Sequence, residues 1–139
     1  MLPFEKEFPQ AEQNFATLNY FLLPDEAEFL RFAYKLQRPA STTEYYAVLL
    51  GLEIGRVEKK ADTLLRVGNM QHFSELEKMA RKVGAKASYK RASSTLERLE
   101  QWGFLKRRPV KHMKEKFFWV INPEFLQKYQ HQLVHVFGS

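Results

Sequence analysis

Two glycines, Gly84 and Gly103, each close a run of residues with helical apolar spacing, and beyond the second the spacing becomes that of a strand. This succession constrains the fold more than any other feature of the chain. In the first run Phe73, Leu76, Ala80 and Val83 recur every three to four residues, and Ser74 with Glu77 forms a capping-box pattern at its start. Gly84 supplies the left-handed residue that ends a helix. Ser88 can cap the next helix, whose inward stripe is Ala92, Leu96, Leu99 and Trp102. Two short helices joined by a tight glycine-containing turn predict a helix-turn-helix, with small Ala80 letting the second helix cross close over the first. Phe104-Leu105 then opens a strand, and Phe117, Trp119 and Ile121 alternate onto one face of a second. The stretch between them is polar and basic, which predicts a β-hairpin with a cationic tip.

Charge is distributed unevenly. The net value is +6, yet residues 1–55 carry 4 basic and 8 acidic side chains, whereas 56–139 carry 18 basic and 8 acidic. The window 86–116 holds 10 Lys/Arg against Glu97, Glu100 and Glu115. A charge run alone more often marks a solvated face than a binding site. The arrangement inside this window points further. The outward face of the second helix is Tyr89, Lys90, Arg91, Ser93, Ser94 and Arg98, with no acid before Glu97. Donors and small polar residues near a helix N-terminus suit the base edges of a DNA major groove. Lys86 and Ser88 lie just ahead of them. On the hairpin, Lys106, Arg107, Arg108, Lys111, His112, Lys114 and Lys116 form a cationic surface that a sheet does not need for stability. Phosphates beside it would release condensed counterions. The expected partner is double-stranded DNA.

Residues 73–84, 88–105 and 117–123 resemble a winged helix-turn-helix domain. The stretch 94–105, Ser94-Thr95-Leu96-Glu97-Arg98-Leu99-Glu100-Gln101-Trp102-Gly103-Phe104-Leu105, is similar to the recognition-helix ending of MarR-like regulators. Phe118-Trp119-Val120-Ile121-Asn122-Pro123-Glu124-Phe125 resembles the wing strand and Asn-Pro-Glu turn of plasmid replication-initiator proteins. The resemblance implies a mainly α fold with a small β-wing: a winged helix-turn-helix with additional N-terminal helices and a C-terminal helix. It also implies a regulator of transcription, or a replication or partition factor from a bacterial, plasmid or phage setting. The motif covers about a third of the chain, and its fold serves many roles. A protein-interaction module and an RNA or single-strand binder stand as the other classes.

Outside the motif, residues 1–24 are expected to form an arm with a turn near 11–18, and 25–139 one domain. That domain divides into a helix-turn-helix at 73–103, a wing at 104–121 and a helix at 124–136. Asp25 can cap a helix with Phe29, Phe32, Ala33 and Leu36 on one face, stopped by Pro39. Ser41 or Thr42 can cap the next, through about Leu52; its Tyr45–Leu50 run also suits a strand. Gly51 and Gly55 weaken a single long helix there. Residues 56–67 read as a further helix or as the tail of the previous one, ended by Gly68-Asn69. Phe125, Tyr129, Leu133 and Val136 make a stripe that packs on its own domain or on a second copy. Core packing is the simpler reading of this stripe; the resemblance favours self-association slightly, and a homodimer is expected, through this stripe or the Phe29/Phe32/Leu36 face.

No cysteine is present, which removes disulfides and thiolate metal sites and fits a cytoplasmic setting. The charged start, with Glu5, Lys6 and Glu7, gives no signal-peptide core, and no apolar run reaches membrane-span length. His131 and His135 have metal-compatible spacing, but no acid or cysteine completes a shell. The Tyr45-Tyr46 pair suits base stacking, though burial is commoner for such residues. No phosphate-cradling glycine loop and no recognisable catalytic arrangement occurs. No enzyme, cofactor or metal is expected.

Overall fold

The computed structural model describes residues 1–9, 22–58, 73–111 and 113–138, without the side chains of 56–58, 73 and 113–116. Among them the chain runs α1 (Pro3–Glu7), α2 (Pro24–Leu36), β1 (Ala40–Ser41), α3 (Thr42–Glu58), α4 (Phe73–Lys82), α5 (Tyr89–Trp102), β2 (Leu105–Val110), β3 (Met113–Ile121), α6 (Pro123–Lys128) and α7 (Gln130–Phe137). The fold is mainly helical with one small three-stranded sheet, ordered β1-β3-β2. Two compact units divide the chain: Ser41–Ser94, and Met1–Ala40 with Thr95–Ser139.

In Ser41–Ser94, Ser41 is the cap of α3. Its Oγ accepts the Glu44 amide at 3.2 Å, while Glu44 Oε2 accepts the Ser41 amide at 2.7 Å. The run from Tyr45 to Leu50 is helical, and α3 continues through Gly51 and Gly55 past Leu52 to Glu58, so that 56–58 are the tail of this helix, one of the two readings of that stretch. The glycine cost of about 1 kcal/mol each is offset by packing, because Ala47, Leu50 and Ile54 of α3 are buried against Leu76 and Ala80 of α4. Ala80 thus gives room to α3. α4 begins at Phe73, so Ser74 lies inside the first turn instead of capping it. Its end is as expected. Gly84 has φ +73°, and the Ala85 amide reaches back to the Ala80 carbonyl at 2.8 Å. Six residues separate α4 from α5, a longer connection than a tight turn. The expected helix at 56–67 and the turn near 11–18 fall, beyond Glu58, outside the described residues.

The other unit is built on aromatic rings. Phe4 of α1 stacks on Phe104 at 4.6 Å and meets Phe125 and Tyr129 at 5.7 and 5.5 Å. The expected arm therefore contains a helix whose Phe4 is fully buried. α2 starts at Pro24, and the Leu23 amide donates to Glu26 Oε1 at 2.8 Å, so Asp25 lies inside the helix and is not its cap. It ends at Leu36, before Pro39, with Gln37 left-handed at φ +51°. β2 and β3 are antiparallel, pairing Leu105 with Ile121, Arg107 with Trp119, and Arg108 with Phe118. The register shifts between Pro109 and Val110 on β2, an edge strand. Asn122 ends the hairpin: its Oδ1 accepts the Glu124 amide at 3.2 Å and its Nδ2 donates to the Gly103 carbonyl at 2.8 Å.

The helix expected at 124–136 is two helices that break at Tyr129, where φ is −112°. The Tyr129 ring is fully buried and its hydroxyl donates to Glu5 at 2.8 Å, so tertiary contacts hold this residue while the backbone departs from helix. Phe125, Tyr129 and Leu133 are fully buried, as is Phe29, with Phe32, Leu36 and Val136 half-buried. Each stripe offered as a dimer face is thus buried in part within the chain and half-buried in the rest.

Candidate nucleic-acid interface

The first turns of α5 are fixed by local chemistry. Ser88 Oγ accepts the Arg91 amide at 3.0 Å and the Ser88 carbonyl accepts the Ala92 amide at 3.1 Å, so Ser88 is the cap that its position suggested. Ala92, Leu96 and Leu99 are fully buried. Their burial turns Lys90 and Ser94 outward, both exposed, with Ser93 half-buried. Tyr89 is 52 % exposed and meets the Tyr46 ring edge-on at 6.1 Å. Burial, and then the nearby Glu77 carboxylate, raise the pKa of Tyr46 against the opposing charge of Arg81, so it stays a neutral support for Tyr89. No acid stands in the first turn of α5.

Arg91 behaves differently from its neighbours. Its Nη2 donates to Glu53 Oε1 of α3 at 2.9 Å, and its Nη1 donates to the Lys86 carbonyl at 2.9 Å. This guanidinium ties α5 to α3 and to the connection before it. Lys86 itself is exposed.

In the other unit, Arg98 Nε lies 3.0 Å from Glu26 Oε2, a buried oxygen without an aligned hydrogen bond, so charge alone holds that contact. Arg107 is bidentate on Glu100, at 2.6 and 2.7 Å, and lies over the rings of Phe117 and Trp119. The paired carboxylate raises its already high pKa. Arg108 and Lys106 are exposed on the opposite face of the ladder, and Lys111 is exposed at the turn. Because β3 begins at Met113, the loop is shorter than the cationic tip read from sequence. His112 lies outside the described residues, as do the side chains of Lys114 and Lys116.

Three expected contacts are thus engaged by carboxylates, while Lys86, Lys90, Lys106, Arg108 and Lys111 carry no ion pair among the described residues. Sequence reasoning missed Glu26, Glu53 and Glu100 as partners. Arg91 and Glu53 are 38 positions apart, a separation with no local signature. His131 and His135 are exposed on α7, and no three potential metal ligands converge among the described residues. No described helix is long and apolar enough to cross a membrane. No protein-family model, curated protein or solved structure matches the chain.

Proposed function

We infer that the chain is a winged helix-turn-helix protein that binds double-stranded DNA, with α5 in the major groove and hairpin cations on the backbone or minor groove. The observation that carries this reading is the start of α5: Lys90 and Ser94 exposed, no acid in the first turn, and the opposite face buried. Such a helix presents donors to base edges. Arg91 supports the helix and leaves the reading to Lys90, Ser94 and Tyr89. In a cytoplasmic setting the protein serves transcription regulation, or plasmid or phage replication or partition. Self-association as a homodimer belongs to the same reading, with Phe32, Leu36 and Val136 the half-buried members of the two apolar stripes.

The test is a binding titration on a duplex selected from the native genome and on random duplex. With Lys86, Lys106, Arg108 and Lys111 meeting phosphates, and Lys90 kept for base edges, the log–log salt slope should be about −3.6. Lys90→Ala should cost about 1–3 kcal/mol on the selected site and much less on random DNA. Lys111→Ala should weaken both alike and flatten the slope by about one. A flat salt dependence, or no duplex binding at low salt, overturns the reading.

A further inference from the structure

On the outer face of the hairpin, the duplex reading uses Lys106 and Arg108 but leaves the aromatic ring and the groove beside them unused. Phe118 is 37 % exposed on β3, and its ring makes no aromatic contact among the described residues. Its cross-strand partner is Arg108, and Lys106 pairs with Val120 on the same face. An exposed ring therefore stands among two exposed cations in one ladder. Beside Arg108 the surface drops into a groove of about 370 Å³, with Pro39, Val120 and Leu126 as apolar walls and Gln37 at its rim. The cations have no ion pair among the described residues, unlike Arg107 on the other face, which Glu100 holds.

These groups complement one ligand chemistry. A nucleobase has a flat π-face for an aromatic ring, edge groups that a side-chain amide such as Gln37 can both donate to and accept from, and a phosphate for the cations. An apolar peptide would desolvate Arg108 and Lys106 without pairing them. An acidic peptide would pair the cations and leave Phe118 and the groove unfilled. We propose that this face binds unpaired nucleotides of a single-stranded DNA segment, one base stacking on Phe118 and its phosphates meeting Arg108 and Lys106. The site shares Arg108 and Lys106 with the duplex reading, while Phe118 and the groove belong to it alone, so it does not depend on that reading.

The experiment follows fluorescein-labelled dT15 by anisotropy against the full chain at low salt, with a 20-base-pair duplex in parallel. Phe118→Ala should weaken dT15 by about five- to a hundredfold. Phe118→Leu, which keeps apolar volume without an aromatic face, should lose most of that affinity while its melting temperature stays that of the parent. Duplex affinity of both variants should stay within twofold, and Lys90→Ala should leave dT15 binding unchanged. The proposal is overturned if Phe118→Leu binds dT15 like the parent, if oligoglutamate displaces dT15 as well as unlabelled dT15 does, or if thymidine monophosphate does so at equal concentration. Phe118-dependent dT15 binding without any duplex binding would uphold this site and remove the duplex reading.

Discussion

The guanidinium of Arg91 has two partners inside the chain, and that changes what its removal should do. Read from sequence it faces outward, where truncation would leave stability intact. With Glu53 at 2.9 Å, Arg91→Ala should cost about 1 kcal/mol, reduced by solvent screening at a partly exposed pair. Glu53→Gln should cost a similar amount, and the double variant less than the two together. Thermal melts of the four proteins decide it; an unchanged Arg91→Ala melt would show the pair to be idle. Glu5 is the second residue whose surroundings set its behaviour. Burial pushes its carboxyl up, but hydrogen bonds from Lys128, the Leu2 amide and Tyr129, with the charge of Lys128, outweigh burial and hold it below the usual range. A depressed folded pKa adds stability above the unfolded value, near 4.3, and that stability is lost as pH falls through the folded value. Glu5→Gln should therefore cost about 2 kcal/mol at neutral pH, and the gap to the parent should close over the pH range that begins near the unfolded value and runs down through the folded one. A gap constant over that range would contradict the assignment.

At the scale of the element, both helix ends marked by glycine use the same geometry under different crowding. Gly84 has φ +73°, and a Cβ added there would find open space out to 4 Å. Gly103 has φ +91°, and a Cβ there would meet Pro3 Cδ at 2.7 Å. Gly84→Ala should cost about 1–2 kcal/mol of backbone strain, and Gly103→Ala that amount plus about 1–3 kcal/mol of overpacking. Urea titrations of the two variants measure the difference, and equal losses would mean that α1 yields at no cost. These ends were legible in the sequence; the crowding at Gly103 was not. Helix ends at Gly84 and Gly103, the Ser88 cap and the alternation of Trp119 and Ile121 are local signals within a few residues of their effect. Helical continuity through Gly51 and Gly55 was hidden, because burial on α4 decides it. The break at Tyr129 coincides with a contact to Glu5, 124 positions away, which no local pattern announces. The candidate site divides likewise: exposure of Lys90 and Ser94 follows from helical period, while engagement of Arg91, Arg98 and Arg107 required knowing which carboxylates come near.

For the whole molecule, the uneven charge of the sequence has a structural use. The acidic part supplies Glu5, Glu26 and Glu53, which pair within their own units with Lys128, Arg98 and Arg91 from the basic part. Partial neutralisation leaves a smaller set of exposed cations for a polyanion than the count of basic residues suggests. One more consequence lies in Pro109, at the open side of the sheet beside the register shift. Residues 117–121, Phe-Phe-Trp-Val-Ile, have the composition of segments that stack into fibrils. A proline on the neighbouring edge strand offers no amide to an incoming strand, and the flanking exposed Lys106 and Arg108 repel a second copy. Pro109→Thr should leave the melting temperature within a few degrees of the parent yet shorten the lag of thioflavin-T-positive growth under agitation. An unchanged lag would mean that charge alone guards the edge. The same proline that ends regular pairing in the folded hairpin then sets how long a concentrated solution of the protein stays clear.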